Sequence, residues 1–137
     1  MAFVRDIKVR FGDEDHAGIV YYPRFFDWFH QVFEDFFEEV GMTYQQVLDD
    51  DHAGWPSVHA EADYASPARF GDVLRVELSV ERIGKSSTTF AYRLTNAGDG
   101  RLVATGRVTC ACVDTRSFRA QPIPAKYRAL FEKHLVA

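Results

Sequence analysis

The segment from Tyr22 to Val40 constrains the fold more than any other part of the chain. Its apolar residues follow the i, i+3, i+4, i+7 spacing of a helix face and form a wide, mostly aromatic stripe. They are Phe25, Phe26, Phe29, Val32, Phe33, Phe36, Phe37 and Val40. Gly41 stands where a glycine commonly ends a helix. The pattern predicts a long helix at the centre of the core, although some of its rings could instead line an aromatic substrate pocket.

Most of the remaining chain predicts strands, because apolar and polar residues alternate with a period of two. The predicted strands cover residues 3–11, 57–65, 73–82, 87–95 and 102–114. Residues 57–65 read as a half-buried strand with Val58, Ala60, Ala62 and Tyr64 on the buried face. Shorter helices are predicted over Tyr44–Asp50 and residues 125–135, with a solvated loop at 49–54.

The order of these elements predicts the architecture. One strand precedes the long helix, and four strands joined by short turns follow it, which favours antiparallel pairing. A largely apolar helix must be covered on much of its surface, and a curved antiparallel sheet wrapped around it provides that cover. The sequence therefore predicts an α+β fold, formed by residues 1–137 as a single domain.

Charge and hydropathy exclude two classes of function. The formal net charge of -4 argues against a general nucleic-acid binder, which usually carries a basic patch. No apolar run approaches the roughly 20 residues that a membrane-spanning helix needs. The first eleven residues lack the apolar region of a secretory signal, so a cytoplasmic location is the expectation.

The two cysteines, Cys110 and Cys112, predict neither a disulfide nor a metal site. At i, i+2 on a strand they point to the same face, and a bridge between them would be strained. A zinc site usually needs a second cysteine pair or nearby histidines, and neither is present. We therefore expect two small core residues, with no metal and no cofactor.

The residues from Gly12 to Pro23, GDEDHAGIVYYP, carry the strongest functional signal. Three acids, Asp13, Glu14 and Asp15, lie just ahead of the predicted helix. Acids in this position face the positive end of the helix dipole and its unpaired N–H groups. The same N–H groups can polarise a bound carbonyl. An N-terminal capping role for an aspartate here is the simpler alternative.

Two blocks of sequence resemble hotdog-fold acyl-CoA thioesterases. Residues 13–23 are similar to the signature D-x-D-x-x-G-x-V-x-Y, and residues 64–74 are similar to Y-x-x-P-A-x-x-x-D-x-L. The branch that the chain resembles most is that of 4-hydroxybenzoyl-CoA thioesterase and YbgC-like proteins. The resemblance implies the hotdog fold, in which a curved antiparallel sheet wraps around a long central helix.

The resemblance also implies a set of catalytic groups. The second aspartate of the signature is catalytic in the family, and it matches Asp15. A backbone N–H at the start of the central helix holds the thioester carbonyl, and by position this is the N–H of Tyr22. Gly18 matches the signature glycine, which lets the acyl group approach the backbone. His16 could donate to Asp15, or it could be an exposed loop residue.

Groups that bind coenzyme A (CoA) follow from the same resemblance. The segment that contacts the CoA phosphates in relatives matches Arg82, Lys85, Ser86 and Ser87. His59 and Glu61 share a strand face and could reach a site across a subunit boundary, although solvated side chains are the simpler interpretation. His30 and Glu34, one helical turn apart, are predicted to form a surface pair.

These residues predict hydrolysis of a thioester. Asp15 could attack the carbonyl directly and form a mixed anhydride, or it could act as general base on water. The Tyr22 N–H and the helix dipole could stabilise the oxyanion. The acyl group could be aromatic or short-chain, and the carrier could be CoA or an acyl carrier protein.

Two other functions are compatible with the fold. A hotdog hydratase or dehydratase would need an acid/base pair, for which His30 and Glu34 are the candidates. A non-catalytic acyl-CoA-binding subunit is the second alternative. The family assembles as homodimers, often homotetramers, with ligand sites at subunit boundaries, and the same assembly is expected here.

Overall fold

A five-stranded antiparallel sheet forms the framework of the computed structural model, which describes residues 2–136. The strand order across the sheet is β1-β4-β5-β6-β3. These strands are β1 (Phe3–Lys8), β3 (Ser57–Tyr64), β4 (Val73–Ile83), β5 (Ser87–Asn96) and β6 (Leu102–Ala111). Every neighbouring pair is antiparallel, as the short turns predict.

The remaining elements are helices and a small second sheet. The helices are α1 (Arg24–Phe36), α2 (Tyr44–Asp49) and α3 (Ala125–Lys133), and a 3₁₀ turn over Phe37–Val40 extends α1. The second sheet consists of β2 (Ala53–Gly54), β7 (Val113–Asp114) and β8 (Arg119–Ala120). Within residues 2–136, no helix is long and apolar enough to cross a membrane.

The long helix α1 packs directly against the sheet and confirms the predicted central element. Its buried residues are Phe25, Trp28, Phe29, Val32, Phe33 and Phe36. The Phe29 ring stacks on Tyr92 of β5 with 4.6 Å between ring centroids. Gly106 of β6 makes this approach possible, because a Cβ atom there would lie 2.4 Å from the Phe29 ring. Gly41 ends the helical segment in the left-handed conformation, with φ of 73°.

Strand β3 differs from the prediction of a half-buried strand. It lies at the edge of the sheet, and among the described residues it pairs only with β6. Val58 is 65% exposed and Tyr64 is 46% exposed. The cause is its edge position, together with a register shift between Ser57 and His59. The alternation correctly predicts a strand, but most of that strand is exposed in the single chain.

The bounds of three other segments also differ from the sequence prediction. The first strand ends at Lys8, and the chain then enters a 3₁₀ turn in which Phe11 is exposed rather than buried. The predicted strand over 102–114 is interrupted at Cys112, and its last residues join the second sheet. Ala53 and Gly54, predicted as loop, form β2 there. Cys110 and Cys112 are both buried, which confirms them as core residues.

Candidate active site

The segment from Gly12 to Pro23 crosses one end of the sheet as a loop held by backbone hydrogen bonds. The Val20 N–H donates to the Ala68 carbonyl at 2.9 Å, and the Tyr21 N–H donates to the Asp13 carbonyl at 2.8 Å. The Asp13 carboxylate accepts the Arg10 N–H at 2.9 Å. It also lies 3.8 Å from the Arg24 guanidinium. Asp13 therefore has a structural role, because it contacts one residue before the loop and one after it.

Asp15 lies at the exposed turn of this loop. Its Oδ1 atom accepts the Ala17 N–H at 2.8 Å, an Asx turn in which the side chain holds the backbone two residues on. Its second carboxylate oxygen makes no hydrogen bond within residues 2–136. In the single chain the carboxylate is therefore exposed and does not accept from the first helical amides of the described residues.

Tyr22, on the same loop, has a backbone N–H that makes no hydrogen bond with the described residues. The helix begins at Arg24, two residues later than predicted, and Pro23 occupies the N-terminal cap. From Val20 to Phe26, every backbone N–H donates to a carbonyl of the described chain except that of Tyr22. Pro23 has no N–H. The Tyr22 N–H is thus a free donor at the positive end of the α1 dipole.

Glu14 ties the loop to the second sequence block, a role that the sequence reasoning did not assign. Its Oε2 atom accepts the Phe70 N–H at 3.0 Å. Tyr64, the first residue of that block, donates its hydroxyl to the Tyr22 carbonyl at 3.3 Å. The two blocks that carry the family resemblance are therefore in contact. Their co-occurrence in the sequence was the only signal that could have indicated this.

Gly18 and His16 complete the loop. Gly18 has φ of 79°, a left-handed conformation that favours glycine, and no atom lies within 4 Å of where its Cβ would be. His16 is exposed, and its ring makes no hydrogen bond or ion pair with the described residues. An apolar groove of about 520 Å³ adjoins the loop, lined by Ile19, Val20, Tyr22, Phe25, Tyr64 and residues 65–68.

The predicted phosphate-binding residues lie on the β4–β5 hairpin, at the opposite end of the sheet. Strand β4 has 11 residues and spans roughly 35 Å between the two ends. The hairpin is anchored by hydrogen bonds from the Arg128 side chain to the Gly84 carbonyl and from the Ile123 N–H to the Lys85 carbonyl. Arg82 and Lys85 are exposed, and neither forms an ion pair with the described residues.

A cavity of about 440 Å³ lies between α1, α2 and the start of β3, and it reaches from Ser57 near the hairpin to Phe26 in the first turn of α1. Its aromatic lining consists of Phe26, Phe29, Phe33, Tyr44, Trp55, Tyr92 and Phe118, and its polar lining includes His30, Ser57 and Thr115. Trp55 is 4% exposed, and its indole N–H has no hydrogen-bond partner among the described residues. Part of the aromatic helix face therefore does line a cavity, in addition to its core role.

The remaining candidates are placed away from the loop. His59 projects from β3 on the face opposite α1, with its Nε2 atom 3.3 Å from Glu61. His30 lies 3.9 Å from Glu34, which confirms the predicted surface pair. Burial raises the pKa of Cys110 to about 11, so its thiol stays protonated at neutral pH.

One chain thus places Asp15, His16, Gly18 and Tyr22 on one loop, and the hairpin residues lie elsewhere. We call the loop 12–23 with the adjoining segment 64–70 the loop end. We call residues 82–87 with the aromatic cavity the hairpin end. The loop end offers a carboxylate and the Tyr22 N–H, and the hairpin end offers an apolar cavity and the exposed cations of Arg82 and Lys85. Within a single chain, the length of β4 separates the loop that carries Asp15 from the hairpin that carries Lys85.

Comparisons with known proteins match the chain to one family. The family model described as "Thioesterase-like superfamily" matches residues 9–131. The 1,4-dihydroxy-2-naphthoyl-CoA hydrolase of Synechococcus sp. (strain CC9605) is 33% identical over 121 residues, which cover 85% of this chain and 80% of that protein.

Two solved structures extend the comparison to the fold. A thioesterase-superfamily protein from Jannaschia sp. CCS1 superposes with a TM-score of 0.92 and 30% identity, covering 99% of this chain and 94% of that one. A gentisyl-coenzyme A thioesterase superposes with a TM-score of 0.83 and 27% identity, covering 92% and 99%. These likenesses confirm the hotdog fold.

Proposed function

The chain belongs to the thioesterase-like superfamily and is a thioester hydrolase, and we propose that it hydrolyses an aromatic acyl-CoA with Asp15 as the reacting carboxylate. The Tyr22 N–H binds the carbonyl oxygen in this proposal. The observation that carries it is the free Tyr22 amide, which stands at the start of α1 on the same loop as Asp15.

The chemistry divides between these two groups. Attack on the thioester carbonyl, by the Asp15 carboxylate or by a water that Asp15 deprotonates, places negative charge on the carbonyl oxygen. The Tyr22 N–H and the helix dipole stabilise that charge, and one such donor is typically worth about 3 kcal/mol of barrier. The C–S bond then breaks as the carbonyl re-forms, and the thiolate leaves. It takes its proton from Asp15 when water attacks, or from solvent when Asp15 attacks directly. With direct attack, water afterwards cleaves the mixed anhydride and restores the carboxylate.

The aromatic cavity supports an aromatic acyl group. Its rings offer flat, apolar walls for a ring system. The Trp55 N–H, which has no partner among the described residues, would gain an acceptor from a hydroxyl or carbonyl oxygen on that ring. The relatives named for 1,4-dihydroxy-2-naphthoyl-CoA and gentisyl-CoA act on aromatic acyl groups with oxygen substituents. We therefore propose an aromatic acyl group with hydroxyl substituents.

The separation of the two ends supports a site shared between two copies of the chain. Strand β3 has a free edge, and its apolar side chains Val58 and Tyr64 are exposed. A two-fold pairing of β3 with β3 of a second copy would be antiparallel, so the Tyr64 end of one copy would meet the Ser57 end of the other. The loop end of one copy would then adjoin the aromatic cavity of its partner.

The same pairing would give a role to the exposed cations of the hairpin. Arg82 and Lys85 have no ion-pair partner among the described residues, and Ser86 and Ser87 flank them with hydroxyl groups. On the hairpin of the second copy they would lie on the side from which CoA reaches Asp15. We propose that they bind the CoA phosphates through charge-assisted hydrogen bonds, which are stronger than hydrogen bonds between neutral groups. Residues 1–137 act as one hotdog domain in this proposal.

The test is steady-state hydrolysis of a panel of aromatic and aliphatic acyl-CoAs, measured by thiol release. Asn at position 15 keeps the oxygen that accepts the Ala17 N–H, so the loop is preserved while the carboxylate is lost. Asp15→Asn should lower kcat roughly 10³-fold. Asp99→Asn is the matched control, because Asp99 also accepts a backbone N–H two residues on, at 2.9 Å from Arg101. Undiminished hydrolysis by Asp15→Asn would reject the proposed role.

A further inference from the structure

We propose that Tyr64 is a positioning residue for the oxyanion donor, holding the turn that carries the Tyr22 N–H against the sheet. The inference rests on the proposed function, because it assigns Tyr64 a role only if the Tyr22 amide binds the carbonyl oxygen. Tyr64 would act through Tyr22 and not on the reacting atoms.

The contact is a single hydrogen bond between side chain and backbone. The Tyr64 hydroxyl donates to the Tyr22 carbonyl at 3.3 Å, across a separation of 42 residues. That carbonyl also accepts the Phe25 N–H at 3.3 Å, in the first turn of α1. It therefore joins the sheet to the helix start. The Tyr64 ring is further fixed by edge contact with Tyr22 and by packing on Phe25, with centroid distances of 6.4 Å and 5.2 Å.

The backbone around Tyr22 transmits this restraint to its N–H. Peptide units are planar, so the direction of an N–H is set by the bonds that hold its own unit and the next. On one side, the Tyr21 carbonyl accepts the Arg24 N–H at 2.9 Å. On the other side, the Pro23 ring restricts the backbone of Tyr22, and the Tyr64 hydroxyl fixes the Tyr22 carbonyl. Without the hydroxyl, the turn keeps its local bonds but loses its tie to the sheet at this position.

The Tyr64 hydroxyl can donate this hydrogen bond only while it is protonated. Partial burial, and the neighbouring Tyr22 ring to a smaller degree, raise the pKa of Tyr64 above its ordinary value near 10. The hydroxyl therefore stays protonated at neutral pH and remains a donor. The exposed Tyr21 ring also packs on Tyr22, at 5.5 Å, but its hydroxyl makes no hydrogen bond within residues 2–136. The two tyrosines thus form a natural pair for comparison.

The experiment compares Tyr64→Phe with Tyr21→Phe in the whole protein. Tyr64→Phe removes the hydroxyl and keeps the ring. We expect kcat to fall roughly tenfold with KM unchanged, because the lost interaction matters most in the transition state. Tyr21→Phe should leave both constants unchanged. In ¹⁵N-labelled protein, the Tyr22 amide resonance should shift in Tyr64→Phe and stay in place in Tyr21→Phe.

Three results decide the inference. A wild-type kcat for Tyr64→Phe would overturn it, and so would a loss of activity in step with a lower Tm and an unshifted Tyr22 amide. A raised KM at constant kcat would also overturn it, since Tyr64 would then contact substrate directly. Failure of the proposed function is distinguishable, because in that case Asp15→Asn would retain activity whatever Tyr64→Phe does.

Discussion

The loop end and the hairpin end of this molecule are built on opposite principles. At the loop end, the functional groups are exposed and held by hydrogen bonds to the backbone, such as those of Glu14 and Tyr64. At the hairpin end, the walls are buried aromatic rings, and the exposed cations stand on an anchored turn. The first arrangement suits a reaction that moves charge, and the second suits recognition of a flat apolar group.

In the proposed site, neither end would suffice alone. A carboxylate in open solvent is a weak catalyst, because water screens it and competes for the carbonyl oxygen. An apolar cavity without a reacting group can bind a substrate but cannot hydrolyse it. The free edge of β3 runs between the two ends, and pairing of two copies along it would place each loop end beside a partner's cavity. Substitutions at each end test whether the two ends have these separate roles.

The largest expected effect is on stability, and it tests the packing of α1 on the sheet. Gly106→Ala would place a Cβ atom 2.4 Å from the Phe29 ring, between the two ends. We expect the free energy of unfolding to fall by about 3 kcal/mol. Chemical denaturation followed by tryptophan fluorescence and by residual hydrolysis should give coincident transitions. Gly12→Ala is the control, since no atom lies within 4 Å of its added Cβ. Equal stability of the two variants would contradict the close packing of α1 on the sheet.

A second prediction separates recognition from chemistry. Trp55→Phe removes the buried indole N–H and keeps an aromatic wall. The ratio of kcat/KM for hydroxybenzoyl-CoA to that for benzoyl-CoA should fall roughly tenfold, because a donor for the ring oxygen is lost. Trp28→Phe, a buried residue of α1 outside the cavity, should leave the ratio unchanged. An unchanged ratio in Trp55→Phe would move ring recognition to another part of the molecule.

A third, smaller effect concerns the cations of the hairpin. Lys85→Ala should raise KM for an acyl-CoA roughly threefold at low salt, and less at high salt, because a charged contact to phosphate is lost. The same acyl group on pantetheine, which lacks the nucleotide, should show no change. Lys133→Ala on α3 serves as the matched control. Equal KM increases with both thioesters would show that Lys85 does not act through the phosphates.

The smallest effect concerns acid stability of the second sheet, which borders the cavity. The Arg116 side chain, and next its backbone N–H, hold the pKa of Asp114 at about 2, below the ordinary value near 4. A lowered carboxylate pKa contributes stability above the ordinary value, and that contribution is lost as pH falls from about 4 to about 2. Asp114→Asn should therefore flatten the fall of Tm over this range. Parallel Tm curves for variant and wild type would refute the assignment.

The centre of the fold could be predicted from sequence because its signals are local. Strand β4 was predicted over 73–82 and β5 over 87–95, within one residue of Val73–Ile83 and Ser87–Asn96. In both strands the period-two pattern coincides with real burial on one face. The aromatic face of α1 was equally clear. The loop 12–23 was recognised from its acids and Gly18, although the start of α1 shifted to Arg24, since Pro23 occupies the cap.

The rest could not be predicted, because it depends on contacts between distant residues. Alternation over 57–65 indicates a strand but not that its cover is absent in one chain. Cys110 and Cys112 continue the apolar pattern through the point where the chain changes sheets. The hydrogen bond from Tyr64 to Tyr22 and the unpaired N–H of Trp55 leave no trace in spacing or composition. Placement of Asp15 and Lys85 at opposite ends also required the folded chain.

Subunit complementation tests the central claim most directly. Asp15→Asn disables the loop end, and His30→Trp fills the mouth of the cavity at the hairpin end, so each homodimer should be inactive. Coexpression in equal amounts gives about half mixed dimers, each with one intact composite site, so about a quarter of wild-type activity should return. Sedimentation would verify that all samples assemble alike. A mixture as inactive as its parents would contradict the account and place the whole site within one chain.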